Sequence, residues 1–119
     1  MIAHPLPPPL SVEEYLELEE NSTIKHEYLD GYVYAMVGGS VDYGAIVVNV
    51  LAALRPQLRG GPYRVYNSDV GVRLGPRRFV YPDLSVSCDP RDYANGHAPF
   101  ISRPRLVIEV LSPKTAVYD

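Results

Sequence analysis

The stretch that decides the fold is IKHEYLDGYVYAMV, residues 24–37. Two β-prone runs, 24–29 and 32–37, flank the dipeptide Asp30-Gly31. Asp-Gly between two such runs is the strongest short-range signal for a β-hairpin, because these residues suit the tight turn that joins antiparallel strands. The stretch therefore predicts a hairpin with strands at about 24–29 and 32–37.

Helical signals lie on both sides of this hairpin. Ser11, followed three residues later by Glu14, has the signature of a capping box and predicts a helix over about 12–20. Apolar residues at helical spacing predict a longer second helix over about 42–58. Further strands are predicted within 63–74 and at 79–80, 84–87 and 105–111. The sequence therefore predicts an α/β fold with the element order α-β-β-α-β-β-β.

The first ten residues differ in composition from the rest of the chain. Four of them are prolines, which lack an N–H donor and fix φ, so residues 1–10 are predicted to be an extended or disordered leader. Residues 11–119 are predicted to form a single domain, because a chain of 119 residues that is 46% hydrophobic can build one core.

Composition excludes several classes of protein. No apolar run approaches the roughly 18 residues that a membrane span needs, and the N-terminus lacks the basic region of a secretory signal. We therefore expect a cytoplasmic protein that has no membrane partner. The single cysteine, Cys88, excludes an internal disulfide framework, and the three histidines do not have the spacing of a zinc site.

Charge is distributed unevenly along the chain. Residues 1–54 carry one lysine against eight acids, whereas residues 55–119 carry nine arginines and one lysine against six acids. The acidic whole-chain balance of −3 argues against a protein that coats nucleic acid. The arginine-rich second half could still present a phosphate-binding face, or the arginines could simply be a solvated surface.

Two acids interrupt apolar segments of the second half. Residues 106–111 are apolar on both strand faces apart from Glu109, which is the pattern of a central strand buried on both sides. Asp83 likewise lies between Tyr81-Pro82 and the largely apolar segment 84–86. A buried carboxylate must meet a cation, a metal ion or several donors, or open into a cleft. The two acids could form a functional site, or each could end its strand in a salt bridge with an arginine.

Four phrases point to a known family. They are KHEYLDG at 25–31, RVYNSD at 64–69, YPDL at 81–84 and VIEVLSP at 107–113. In this order and with these gaps, the chain resembles the Uma-type restriction endonucleases of the PD-(D/E)xK nuclease superfamily over about 11–119. The resemblance implies a restriction-endonuclease-like curved mixed sheet flanked by helices. It also implies a divalent-metal site made from acids on neighbouring strands.

The resemblance assigns roles to individual residues. Asp83 matches the acid of the Pro-Asp element, Glu109 the acid of the second element, and Glu27 the acid of the first strand. The main-chain carbonyl of Val110 matches the backbone ligand that follows the second acid. Such hard oxygens suit Mg²⁺ or Mn²⁺, and the implied activity is metal-dependent hydrolysis of DNA phosphodiester bonds.

The chain departs from the family pattern at three points. Leu111 stands where the superfamily has a lysine, two residues after the second acid. Lys25 is the alternative lysine, because it lies two residues before Glu27 and so on the same strand face. Tyr43 stands where the family leads us to expect a histidine. Related chains are expected to carry their lysine on a helix beyond residue 119, so this chain is expected to lack the C-terminal part of the domain.

Other functions are compatible with the same sequence. A catalytically inactive nuclease-fold fragment could serve as a nucleic-acid-binding or protein-binding module, and a structural α/β domain could use the acids only in salt bridges. DNA binding is expected to be weak. A homodimer or larger homo-oligomer is expected, because without the C-terminal strands that this chain is expected to lack, a sheet edge and apolar surface beside the predicted central strand would be exposed.

Overall fold

The computed structural model describes residues 2–3 and 9–111. Three helices and nine strands lie in this part of the chain, so the α/β class and the restriction-endonuclease-like architecture are confirmed. The helices are α1 (Val12–Asn21), α2 (Val41–Leu58) and α3 (Pro90–Tyr93). The strands are β1 (Ile2–Ala3), β2 (His26–Leu29), β3 (Tyr32–Ala35), β4 (Arg64–Asn67), β5 (Gly71–Gly75), β6 (Arg78–Val80), β7 (Leu84–Ser87), β8 (Phe100–Ile101) and β9 (Leu106–Ile108).

The predicted hairpin and its preceding helix are both present. Strands β2 and β3 pair antiparallel, and the turn between them has φ of 52° at Asp30 and 99° at Gly31. Glycine adopts positive φ without steric cost, and aspartate does so more readily than most residues. Ser11 and Glu14 form the reciprocal capping box at the start of α1. These local signals therefore predicted local structure correctly.

The larger sheet has the strand order β1-β3-β2-β6-β5-β8 and carries the main core. All of its pairs are antiparallel except the parallel pair β5 and β8. Helix α1 buries Tyr15, whose ring lies 4.8 Å from that of Tyr28 and 5.2 Å from that of Phe79, measured between centroids. The Tyr15 hydroxyl donates to the carbonyl of His26 at 2.6 Å.

The smaller sheet has the order β4-β7-β9 and is antiparallel throughout. Its central strand is β7, all four of whose residues are buried. The prediction that 106–111 forms a central strand buried on both sides is wrong for the described residues, because β9 lies at an edge and leaves Leu106 44% exposed. An apolar run indicates a strand, but it does not fix which edges of that strand are paired.

Packed structure extends into the proline-rich leader. Strand β1 pairs with β3, and Leu10 belongs to the buried core. The N–H of Leu10 donates to the carbonyl of Gly31 at 2.8 Å. Folding therefore includes residues before the predicted start near residue 11, whereas Met1 and residues 4–8 of the predicted leader lie outside the described residues.

Helix α2 is less buried than its sequence suggests. None of its residues is fully buried, and Ile46 and Val48 are 48% and 62% exposed. Val47 and Leu51 lie on its half-buried face. Within residues 2–3 and 9–111, no helix combines the length and the apolar character needed to cross a bilayer.

Candidate active site

A three-residue connector, residues 81–83, joins the two sheets. It runs from β6 of the larger sheet to β7 of the smaller one, and Tyr81 and Pro82 are buried. The N–H of Tyr81 donates to Oε2 of Glu27 at 2.9 Å, which ties the connector to β2. The position of Asp83 is therefore set by both sheets.

Asp83 is half-buried and its two carboxylate oxygens have different partners. Oδ2 accepts a hydrogen bond from the N–H of Val110 at 2.6 Å, and Oδ1 accepts one from the hydroxyl of Tyr43. The first bond joins the start of β7 to the residue after Glu109. The second joins it to the first turn of α2, which Ser40 caps.

Strand register brings Asp83 and Glu109 together. Leu84 lies opposite Ile108 in the antiparallel pair of β7 and β9, so Asp83 and Glu109 are the next residues outward on the two strands. Residues directly opposite in such a pair have Cβ atoms roughly 4.5–5.5 Å apart and side chains on one face. Glu109 is exposed, and we call these two residues the acid pair.

Glu27 occupies a different position. It lies on β2 of the larger sheet, is only 5% exposed, and accepts the N–H of Tyr81. Across residues 9–111, no three His, Cys, Asp or Glu side chains approach closely enough to hold a metal ion. The described contact of Glu27 is thus a structural one to the connector, while its role as a metal ligand stays a prediction.

Lys25 lies at the same end of the smaller sheet as the acid pair. Its Nζ atom is 3.3 Å from Oδ1 of Asp69, in the turn that follows β4. Strand β4 ends at Asn67, which pairs with Leu84, the residue after Asp83. Lys25 thus contacts the family phrase 64–69, and its role in the candidate site stays a prediction.

Tyr43 is a site residue whose contact the sequence did not reveal. It stands where the resemblance leads us to expect a histidine, and it donates its hydroxyl to Asp83 from 40 positions away in the chain. A tyrosine hydroxyl can donate to a carboxylate as an imidazole N–H can. The only signal in the sequence was its place in the first turn of a predicted helix.

A buried polar network supports the connector from the side of α1. Oε1 of Glu19 lies 2.7 Å from Nδ1 of His26, and Oε2 accepts the hydroxyl of Tyr81 at 2.8 Å. Burial, with the Glu19 carboxylate nearby, raises the pKa of the Tyr81 phenol above its ordinary value, so this hydroxyl remains a donor. His26 is thus part of the hydrogen-bond network that supports the connector.

The chain is similar to one protein family and to two known proteins. Residues 12–119 match the Uma2 family model, described as "Putative restriction endonuclease". The chain is 45% identical over 124 aligned positions to uncharacterized protein slr1290 of Synechocystis sp., covering all of this chain and 64% of that protein. It is 26% identical over 111 positions to uncharacterized protein sll1609 of the same organism, covering 92% of this chain and 63% of that protein.

The chain thus spans just under two thirds of the length of these two relatives. The family match covers the hairpin, the connector and both residues of the acid pair. It includes nearly all of the described structure, from the start of α1 onwards. The chain therefore belongs to the Uma2 family of restriction-endonuclease-like proteins, which is part of the PD-(D/E)xK nuclease superfamily.

Proposed function

We propose that this protein is an endonuclease that hydrolyses DNA phosphodiester bonds with Mg²⁺ or Mn²⁺. The observation that carries the proposal is the placement of Asp83 opposite Glu109, with Asp83 oriented by the N–H of Val110. Two carboxylates on adjacent strands that converge at one sheet end are the donor set that a hard divalent cation requires. The cytoplasm, where cellular DNA lies, is the proposed location.

The residues present fit a divalent ion. Each carboxylate oxygen has two lone pairs, so an Asp83 oxygen that accepts a hydrogen bond can also bind a cation. Asp83 and Glu109 would hold the ion, with the Val110 carbonyl as a third oxygen, while Glu27 would support the connector that carries Asp83. When bound, the ion would polarise the scissile phosphate and lower the pKa of a bound water.

The protein's own groups would orient the reaction. Tyr43 and the N–H of Val110 fix the Asp83 carboxylate, so the Asp83 side chain would lose little freedom on binding the metal ion. Lys25 is the proposed group that orients or deprotonates the attacking water, since its partner Asp69 follows β4, whose last residue pairs with Leu84 beside Asp83. Leu111 cannot take that role because its side chain has no polar atom.

Mn²⁺ titration calorimetry tests the metal assignment. We expect the wild type to bind Mn²⁺ and the variants Asp83→Asn and Glu109→Gln to lose that binding. Apo Glu109→Gln should be as stable as the wild type or more so, because one of two like charges is removed. Glu20→Gln on the exposed side of α1 is the matched control. Equal Mn²⁺ affinity in all four proteins would remove the acid pair from the site.

A second candidate function is a catalytically inactive nuclease fold that binds nucleic acid or protein. Two observations favour it: Leu111 stands at the position of the superfamily lysine, and no group of three metal-ligating side chains forms within the described residues. Plasmid cleavage with Mn²⁺ separates the two candidates. Cleavage that Asp83→Asn abolishes supports the nuclease, whereas duplex binding without turnover supports the binding module.

We also propose self-association. Leu106 and Leu111 of the β9 segment are 44% and 57% exposed, which provides apolar surface beside a sheet edge. Sedimentation velocity at micromolar concentration should show a dimer or a larger species. A single monomeric boundary over a tenfold range of concentration would contradict this proposal.

A further inference from the structure

Four arginines surround the end of the smaller sheet that lies opposite the acid pair. Strand β4 begins there, with its first residue paired with Ser87. Strand β9 enters at the same end, where a backbone N–H donates to the carbonyl of Val86 at 2.7 Å. The four residues are Arg64 on β4, Arg105 immediately before β9, and Arg91 and Arg103 beside the end of β7.

Asp89 balances only part of this charge. Its carboxylate accepts Arg91 at 2.6 Å and lies 3.8 Å from Nε of Arg103. The hydrogen bonds from Arg91 lower the pKa of Asp89 to about 2, so it is ionised at neutral pH. Asp92 is the other acid in this cluster, and four arginines against two acids leave this end of the sheet positive.

The positive groups are held in place. Asp92 is buried and accepts the Ser87 hydroxyl at 2.6 Å and the N–H of Arg103 at 3.1 Å. The guanidinium of Arg64 lies over the ring of Tyr93, with its central carbon 3.9 Å from the ring centroid. Stacking of this kind restrains an arginine while leaving its N–H donors available at the ring edge. All four arginines are exposed, and the contacts with Tyr93 and Asp89 restrain the side chains of Arg64 and Arg91.

We infer that Arg64, Arg91, Arg103 and Arg105, here named the arginine surface, bind the sugar-phosphate backbone of duplex DNA. This inference rests on the proposed nuclease function. The planar guanidinium fork matches phosphate oxygens, and a set of such groups binds without reading base sequence. The arginine surface thereby positions the duplex against the acid pair.

The length of β7 fits this geometry. Asp83 precedes Ser87 by four residues, which at about 3.3 Å per residue separates the two ends of the strand by roughly 13 Å. Duplex DNA carries one phosphate charge per about 1.7 Å of helix axis when both strands are counted, so several phosphates lie within such a span. A duplex lying along the sheet would place one phosphate at the acid pair and another at the arginine surface.

Fluorescence anisotropy of a labelled 16-base-pair duplex tests the inference, with EDTA present so that no cleavage occurs. The variants are Arg64→Gln, Arg105→Gln and their double variant. The matched control is Arg78→Gln, an exposed arginine on β6 of the other sheet. Arg64→Lys keeps the positive charge. If this variant binds the duplex nearly as well as the wild type, the weaker binding of Arg64→Gln reflects loss of a phosphate contact and not loss of folding.

Counterion release sets the expected result. Each phosphate contact contributes about 0.9 to the slope of log affinity against log salt concentration. The slope of the double variant should therefore be about 1.8 smaller in magnitude than that of the wild type. Over the fourfold rise from 50 to 200 mM salt, the wild type should then lose roughly twelve times more affinity than the double variant. Arg78→Gln should keep the wild-type slope.

Two outcomes overturn the inference: a double variant with wild-type affinity and slope, or a wild type that binds polyglutamate more tightly than the duplex. The second outcome would assign the surface to an acidic protein partner. Because EDTA removes divalent ions, failure of the acid pair to bind Mn²⁺ would not alter these readings. The inference and the proposed function can therefore fail separately.

Discussion

Replacement of Asp92 by asparagine and by alanine should separate the contributions of its charge and of its shape to the free energy of unfolding. Asp92 is 8% exposed, and its carboxylate accepts three hydrogen bonds. Oδ2 accepts the Ser87 hydroxyl at 2.6 Å and the N–H of Arg103 at 3.1 Å, while Oδ1 accepts the N–H of Ser102 at 2.8 Å. Asp92 thus joins β7 to the segment that leads into β9.

The cost of each variant follows from the number of bonds that it can keep. Asparagine has one acceptor oxygen. In its better orientation, Asp92→Asn places that oxygen at the Oδ2 position and keeps two hydrogen bonds. Its NH₂ group then faces the N–H of Ser102, so that third hydrogen bond is lost. Loss of one hydrogen bond to a charged group costs about 1.5–3 kcal/mol. Asp92→Ala loses all three partners in a buried place and should cost about 3–5 kcal/mol.

Urea unfolding followed by circular dichroism at 222 nm measures both values. The midpoints should fall in the order wild type, Asp92→Asn, Asp92→Ala, with unchanged slopes. Ser102→Ala is the control, because it keeps the backbone N–H that donates to the carboxylate. If both Asp92 variants unfold within about 0.5 kcal/mol of the wild type, these three hydrogen bonds do not hold the segment, and the reasoning is refuted.

Two further predictions concern packing and acid stability. An added Cβ at Gly71 would approach Cδ1 of the Phe100 ring to 2.3 Å, so Gly71→Ala should destabilise the fold by about 1–3 kcal/mol in a thermal melt. An added Cβ at Gly75 would meet no atom within 4 Å, so the stability of the control Gly75→Ala should stay within about 1 kcal/mol of the wild type. Equal melting temperatures of the two variants would contradict this prediction. The hydrogen bonds from Arg91 lower the pKa of Asp89 from 3.8 to about 2, so its contribution to stability is present above about pH 4 and is lost as the pH falls towards 2. Urea midpoints at pH 5 and pH 2.5 should therefore differ less in Asp89→Asn than in the wild type, and an identical acid dependence would remove this ion pair from the explanation.

The features predicted correctly from the sequence depend on neighbours in the chain. The hairpin needs only Asp30 and Gly31 at its turn, and the start of α1 needs only Ser11 and Glu14. The position of Asp83 opposite Glu109 depends on strand pairing and not on neighbouring residues alone. A family resemblance implied acids on adjacent strands before the register was known.

The features that the sequence did not reveal depend on contacts between distant segments. The hydrogen bond from Tyr43 to Asp83 spans 40 positions, and Asp92 gains its partners only when residues 10 and 11 positions later fold back onto it. The apolar pattern near Glu109 indicated a strand correctly. It could not indicate that this strand lies at an edge, since pairing is decided by other parts of the chain.

The connector at 81–83 limits how the length of this chain can vary among relatives. A single residue inserted there would shift β7 by one position and, because side chains alternate along a strand, turn the Asp83 carboxylate to the opposite face of the sheet. Residues 94–99 form a wholly exposed loop, where an insertion before Pro99, whose carbonyl accepts the N–H of Gly71, would leave the pairing of β5 and β8 intact. Gaps in alignments of this family should therefore accumulate at 94–99, and the number of residues between β6 and β7 should stay fixed wherever the acid pair is retained.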